Sequence, residues 1–121
     1  MNYEEFILNR RTKEINKAIQ KAKLRDHNKC RICYKTNKMV IIDGAHLLPR
    51  NNPSPKNDPT NAENIIALCR NCHIEYDKNK TIEKRIDWFR ERGKYNLAEK
   101  LYFLGSENIW SRHEIEFKYY E

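Results

Sequence analysis

The sequence predicts an α+β fold: a small β-hairpin core clamped by a metal site, with helices before and after it. Three observations predict it. The four cysteines form two Cys-x-x-Cys pairs, Cys30/Cys33 and Cys69/Cys72. A β-branched apolar run, Met39-Val40-Ile41-Ile42, lies between the pairs. Segments with helical apolar spacing flank the pairs on both sides.

The elements follow in order. Residues 3 to about 26 contain no Gly or Pro, and Phe6, Ile7, Ile15, Ala18, Ile19 and Ala22 recur near the helical period. The other face of this helix carries Arg10, Arg11, Lys13 and Lys17. It is equally suited to lie along a phosphate backbone or to present a solvated charged surface. Cys30 to Cys33 is a tight turn, and residues 39–42 read as a strand. Asp43-Gly44 marks a bend, with Ala45-His46-Leu47-Leu48 as the returning strand. Pro49, Pro53, Pro55 and Pro59 all fall in the long irregular loop that follows. Asn61 to Leu68 leads into the second cysteine pair, and Asn71 to about Asn79 reads as a short helix. Thr81 caps the next helix, which carries Ile82, Ile86, Trp88 and Phe89. Residues 95–104 and 109–120 read as further helices. No repeat or linker divides the chain. It is read as a single domain, 1–121, made of a basic helix (1–29), a metal-clamped core (30–80) and a helical extension (81–121).

Composition narrows the function. The 121 residues carry 24 Lys and Arg against 17 Asp and Glu, a net charge of +7. That excess suits a polyanionic partner, because each neutralised phosphate releases counterions. No apolar run is long enough to cross a bilayer, and Met1-Asn2-Tyr3-Glu4-Glu5 lacks the pattern of a secretion signal. The expected location is therefore the cytoplasm, where paired cysteines favour metal over disulfides. Each pair places two thiolates one tight turn apart, and two pairs complete a tetrahedral site. Cys30, Cys33, Cys69 and Cys72 are thus expected to bind one Zn²⁺. With no open position, that metal is structural.

The residues between and after the pairs carry the chemistry. The string Ile42-Asp43-Gly44-Ala45-His46-Leu47-Leu48-Pro49-Arg50 is followed by Asn64-Ile65-Ile66-Ala67-Leu68-Cys69-Arg70-Asn71-Cys72-His73. This order resembles the HNH nuclease family, whose fold is two strands and a helix around a metal, the ββα-metal fold. The matching features are a His at the hairpin, an Asn five residues before the second pair and a His directly after it. The resemblance covers residues 30 to about 80 and implies a metal-dependent endonuclease. It assigns the general base to His46, a metal-ligand role to His73, and orientation of the hairpin or base to Asn64. The catalytic ion would be Mg²⁺ or another divalent cation, the partner double-stranded DNA, and Arg50 a phosphate grip. A homodimer is one route to a double-strand break, because a single such site cuts one strand.

One position departs from the family. Many members carry Asp or His immediately before the base, where this chain has Ala45. Asp43, two residues earlier, points to the same face of an extended segment. Asp77 lies four residues after His73, on one helical face. Both are candidates for the missing metal ligand. The competing readings are a non-catalytic zinc-binding nucleic-acid module, which has no need of His46, Asn64 and His73 together, and a zinc-knuckle protein adaptor. His27, His113, Trp88 and Trp110 are read as ordinary surface or core residues.

Overall fold

The computed structural model describes residues 3–50 and 56–105, with side chains from residue 12 onward. The expected helix over 109–120, with Trp110 and His113, lies outside these residues.

Helix α1 spans Tyr3–Arg25. Ile15, Ala18 and Ala22 are buried along one of its faces, as the sequence spacing requires. The helix ends where His27 and Asn28 adopt left-handed backbone, φ 58° and 53°. There the Asn28 N–H donates to the Lys23 carbonyl at 2.8 Å.

Strands β1 (Ile42–His46) and β2 (Ile65–Cys69) form a two-stranded antiparallel sheet. Gly44 stands opposite Ala67 and His46 opposite Ile65. This corrects the hairpin expected within residues 39–48. Asp43-Gly44 is not a bend but the middle of β1, and its partner is the segment leading into the second cysteine pair. The reason lies in the packing. Every residue of β2 is buried, so its apolar run has no alternation to betray it as a strand. Gly44 is needed for closeness to α1, not for a turn: a Cβ there would sit 2.5 Å from Ile19 Cγ2.

Helix α2 (Arg70–Asp77) starts directly at the end of β2. Cys69 is its N-cap, with Sγ accepting the Cys72 N–H. Strands β1 and β2 and helix α2 thus make a ββα unit within a small α+β fold. Helix α3 (Ile82–Glu91) is capped by Thr81, whose Oγ1 accepts the Lys84 N–H at 3.1 Å. Helix α4 spans Tyr95–Gly105. Tyr76 of α2 packs on Trp88 and Phe89 of α3, with ring centroids 5.2 and 5.1 Å away. These rings join Ile66, Leu68, Leu97 and Leu101 in the main core.

On the other side of the sheet, Ala18 and Ala22 of α1 pack against Ile65. The end of α1 is pinned by polar groups. The Asp26 carboxylate accepts from the Ala67 N–H at 2.9 Å and from the guanidinium groups of Arg25 and Arg31. Burial alone would raise the Asp26 pKa, but these donors hold it below the ordinary value. Among the described residues, no helix is long and apolar enough to cross a membrane.

Candidate active site and metal centre

The two cysteine pairs meet as the spacing predicts. The four Sγ atoms lie within 4.8 Å of one another. Cys33 and Cys69 Sγ are 3.7 Å apart, far beyond a disulfide bond. A tetrahedral zinc with Zn–S bonds of about 2.3 Å sets its sulfurs ~3.8 Å apart, so the cluster fits that ion. Backbone N–H groups already point at the sulfurs: Ile32 and Cys33 donate to Cys30 Sγ, and Cys72 donates to Cys69 Sγ. Burial pushes the Cys30 thiol up, but these N–H groups outweigh it and bring its pKa to about 7. Burial and the neighbouring thiols push Cys33 and Cys72 upward. A dipositive ion at the centre is the charge that would let all four ionise together.

The ββα unit brings His46, His73, Asp43 and Asp77 to one region. His46 ends β1 and is partly buried. Its Nε2 lies 3.0 Å from the Pro59 carbonyl. A carbonyl only accepts, so Nε2 carries the proton and the lone pair of the neutral ring is on Nδ1. Burial lowers the His46 pKa, and the charges of Arg50 and His73 add to the effect. His46 is therefore neutral near pH 7.

His73, on the first turns of α2, sits between two carboxylates. Its Nδ1 is 3.0 Å from Asp43 Oδ2, and its Nε2 is 3.2 Å from Asp77 Oδ2. Asp77 contributes most to raising the His73 pKa; burial opposes it and Asp43 adds to it. Arg70 Nη2 also donates to Asp43 at 3.1 Å. Burial would raise the Asp43 pKa, but Arg70 and His73 outweigh it, so the carboxyl titrates below its ordinary range. Both acidic candidates thus reach His73, on opposite ring nitrogens. His46, His73, Asp77 and Arg50 line a cavity of about 350 Å³, together with Arg85.

Asn64 closes the arrangement from below. It is buried, and its Nδ2 donates to the carbonyls of Lys56 and Asp58 at 3.0 and 3.1 Å. Those residues precede Pro59, whose carbonyl meets His46. The Asn64 carbonyl also accepts the Leu47 N–H at 2.9 Å.

Residues 30–82 match the family described as HNH endonuclease. Comparison of the chain with curated proteins and with solved structures returned no match.

Around the HNH segment, the basic candidates are spread apart. Arg50 is exposed at the rim of the His46 cavity. Lys13 and Lys17 are exposed on α1, and Lys17 lines a different cavity with Lys21 and Asp58. Arg10 and Arg11 lie in α1, with side chains outside the described residues.

Two residues of the site escaped the sequence reading. Arg85 of α3 is 1% exposed, donates to the Leu47 and Asn79 carbonyls, and pairs with Asp77 at 3.5 Å. Tyr76 donates its hydroxyl to the same Leu47 carbonyl at 2.6 Å. The signal for Arg85 was its position: it interrupts the buried stripe of Ile82, Ile86 and Phe89 at helical spacing. An arginine on an apolar stripe needs acceptors inside the protein. Tyr76 carried no such signal, because a buried tyrosine at that spacing is ordinary core.

Proposed function

We propose that the chain is a divalent-cation-dependent endonuclease that nicks nucleic acid, with His46 as general base. The observation that supports this most is the fixed tautomer of His46. Its Nε2–H is engaged by the Pro59 carbonyl, which leaves Nδ1 to accept a proton from water in a cavity shared with His73 and Asp77.

In this reading each residue has one task. His46 Nδ1 takes the proton as the water oxygen forms its bond to phosphorus and the bond to the leaving oxygen breaks. His73 Nε2 and the Asp77 carboxylate face the cavity and would hold the cation. Asp43 does not line that cavity; it holds His73 Nδ1 and fixes the ring's orientation, as a carboxylate behind a metal-binding histidine does. A divalent cation bound there supplies charge neutralisation at the phosphate and the leaving oxygen. Asn64 acts through the 56–59 turn as a positioning residue. Arg50 and Arg85 add positive charge around the scissile phosphate. The four cysteines would hold a structural Zn²⁺ that anchors β2 and α2. Duplex DNA is the proposed substrate, cut on one strand per site.

The test is plasmid nicking with added Mg²⁺ or Mn²⁺ by wild type and His46→Ala. His46→Ala should lose on the order of a hundredfold to ten-thousandfold in rate, with zinc content and DNA binding retained. Wild-type nicking by His46→Ala would leave the non-catalytic zinc module as the better reading.

A further inference from the structure

A further cavity, of about 360 Å³, lies between the zinc knuckle and the turn from α3 to α4. Arg31 and Tyr34 line it from the knuckle, Lys94 from the turn and Tyr95 from the start of α4. It shares no lining residue with the cavity of His46. Both tyrosines are largely exposed, Tyr34 at 62% and Tyr95 at 67%, so core packing explains neither.

Tyr34 is also held against its backbone preference. It follows Cys33 directly and sits at φ 63°, in the left-handed region. The knuckle turn demands this conformation: the Tyr34 N–H donates to the Cys30 carbonyl at 3.0 Å, and the Cys30 N–H to the Lys35 carbonyl at 2.9 Å. Glycine meets such a demand without steric cost, whereas a bulky side chain does not. A residue kept in an unfavourable conformation with its ring largely exposed, one side met by the Lys94 ammonium 4.3 Å from the centroid, points to a task for the ring. Cations stand beside it. Lys94 Nζ bonds the Tyr34 hydroxyl, and Asp26 anchors the Arg31 guanidinium at 3.2 Å.

We propose that this groove is a stacking site for an unpaired nucleobase, with Tyr34 and Tyr95 meeting the base and Arg31 and Lys94 the adjoining phosphates. Aromatic faces with neighbouring cations suit single-stranded nucleic acid, because every base offers a π-face and every linkage a negative charge. The net charge of +7 supports the same partner. The proposal rests on the nucleic-acid reading of the HNH segment and adds a contact for a strand that has left the duplex.

The test uses the full chain without added divalent cation, so that the probes stay intact. Binding of a labelled single-stranded DNA and of the matching intact duplex is measured by fluorescence anisotropy. Tyr34→Gly and Tyr95→Ala should each weaken single-strand binding, on the order of tenfold, and leave duplex binding nearly unchanged. Tyr34→Phe keeps the ring and should bind like wild type. Tyr34→Gly should also keep its zinc and stay folded, since glycine accepts φ 63°. Wild-type single-strand affinity in both ring-removing variants overturns the proposal, and so does an equal loss on both probes. If wild type binds neither probe, the nuclease reading itself fails.

Discussion

Replacing Asn64 tests how the site is held together without touching its reacting atoms. Its side chain makes two hydrogen bonds, to the carbonyls of Lys56 and Asp58. Each is worth about 0.5–1.5 kcal/mol, so Asn64→Ala should cost about 1–3 kcal/mol. In a chain of this size that lowers Tm by about 4–12 °C. The functional loss should be larger. With the turn released, the Pro59 carbonyl no longer fixes His46 Nε2, and a misplacement of ~1 Å costs about a hundredfold in rate. The loss should fall on kcat rather than KM, because the cation and phosphate groups are untouched. Asn64→Asp separates shape from hydrogen bonding. It fills the same space, but a carboxylate cannot donate to two carbonyls, so it should be no better than alanine. The assay is nicking rate against DNA concentration, alongside thermal melting and zinc content. Wild-type kcat in Asn64→Asp would refute the linkage from Asn64 through the turn to His46.

Three further outcomes are expected. Because burial lowers the His46 pKa below its ordinary 6.5, kcat/KM at saturating cation should rise with pH through a midpoint below 6.5 and then stay flat to neutrality; a midpoint above that value would speak against His46 as the base. Asp77→Ala should raise the cation concentration needed for half-maximal nicking more than Asp43→Ala does, by titration with Mn²⁺, since Asp77 lines the cavity and Asp43 stands behind the ring; the reverse order would exchange their roles. Stripping zinc with a chelator, or replacing Cys69 with Ser, should unfold the ββα unit as seen by circular dichroism, because Cys69 ends β2 and caps α2; a folded zinc-free protein would count against a structural zinc.

The sequence made most of the local structure legible. Helical spacing marked α1, Thr81 marked the start of α3, and the cysteine spacing marked the sulfur cluster. The pairing of the strands was not legible. Asp43-Gly44 carries turn chemistry, and only tertiary contact tells a glycine that turns the chain from one that admits Ile19. The buried run of Ile65 to Leu68 shows no period, so it did not declare itself a strand. At the site, the resemblance to the HNH nuclease family named His46, Asn64 and His73. The missing ligand stayed open between Asp43 and Asp77 because each satisfied a different local rule, one for strands and one for helices. Both carboxylates reach His73, and its placement between them comes from packing α2 across β1. Arg85 lies beyond the matched segment, and its contacts depend on how α3 docks.

The HNH segment is not self-sufficient in this structure. A two-stranded sheet is marginal in water unless its faces are covered. One face here packs on α2, α3 and α4, and the other on α1. The α1 contact is specific: Gly44 has no side chain because Ile19 occupies that space. Arg25 caps the carbonyls of Ala62 and Ile65 at 2.9 and 2.7 Å, just where the chain passes from Asn64 into β2. Ile19 also lines the cavity of His46 and His73. The basic helix therefore cannot be a loose arm that merely adds charge. Its apolar face forms part of the site's wall, its C-terminal end locks the strand that follows Asn64, and the lysines on its exposed face are carried in fixed relation to His46. The exposed charges of Lys13 and Lys17 on α1 are thus held in a defined position relative to that cavity.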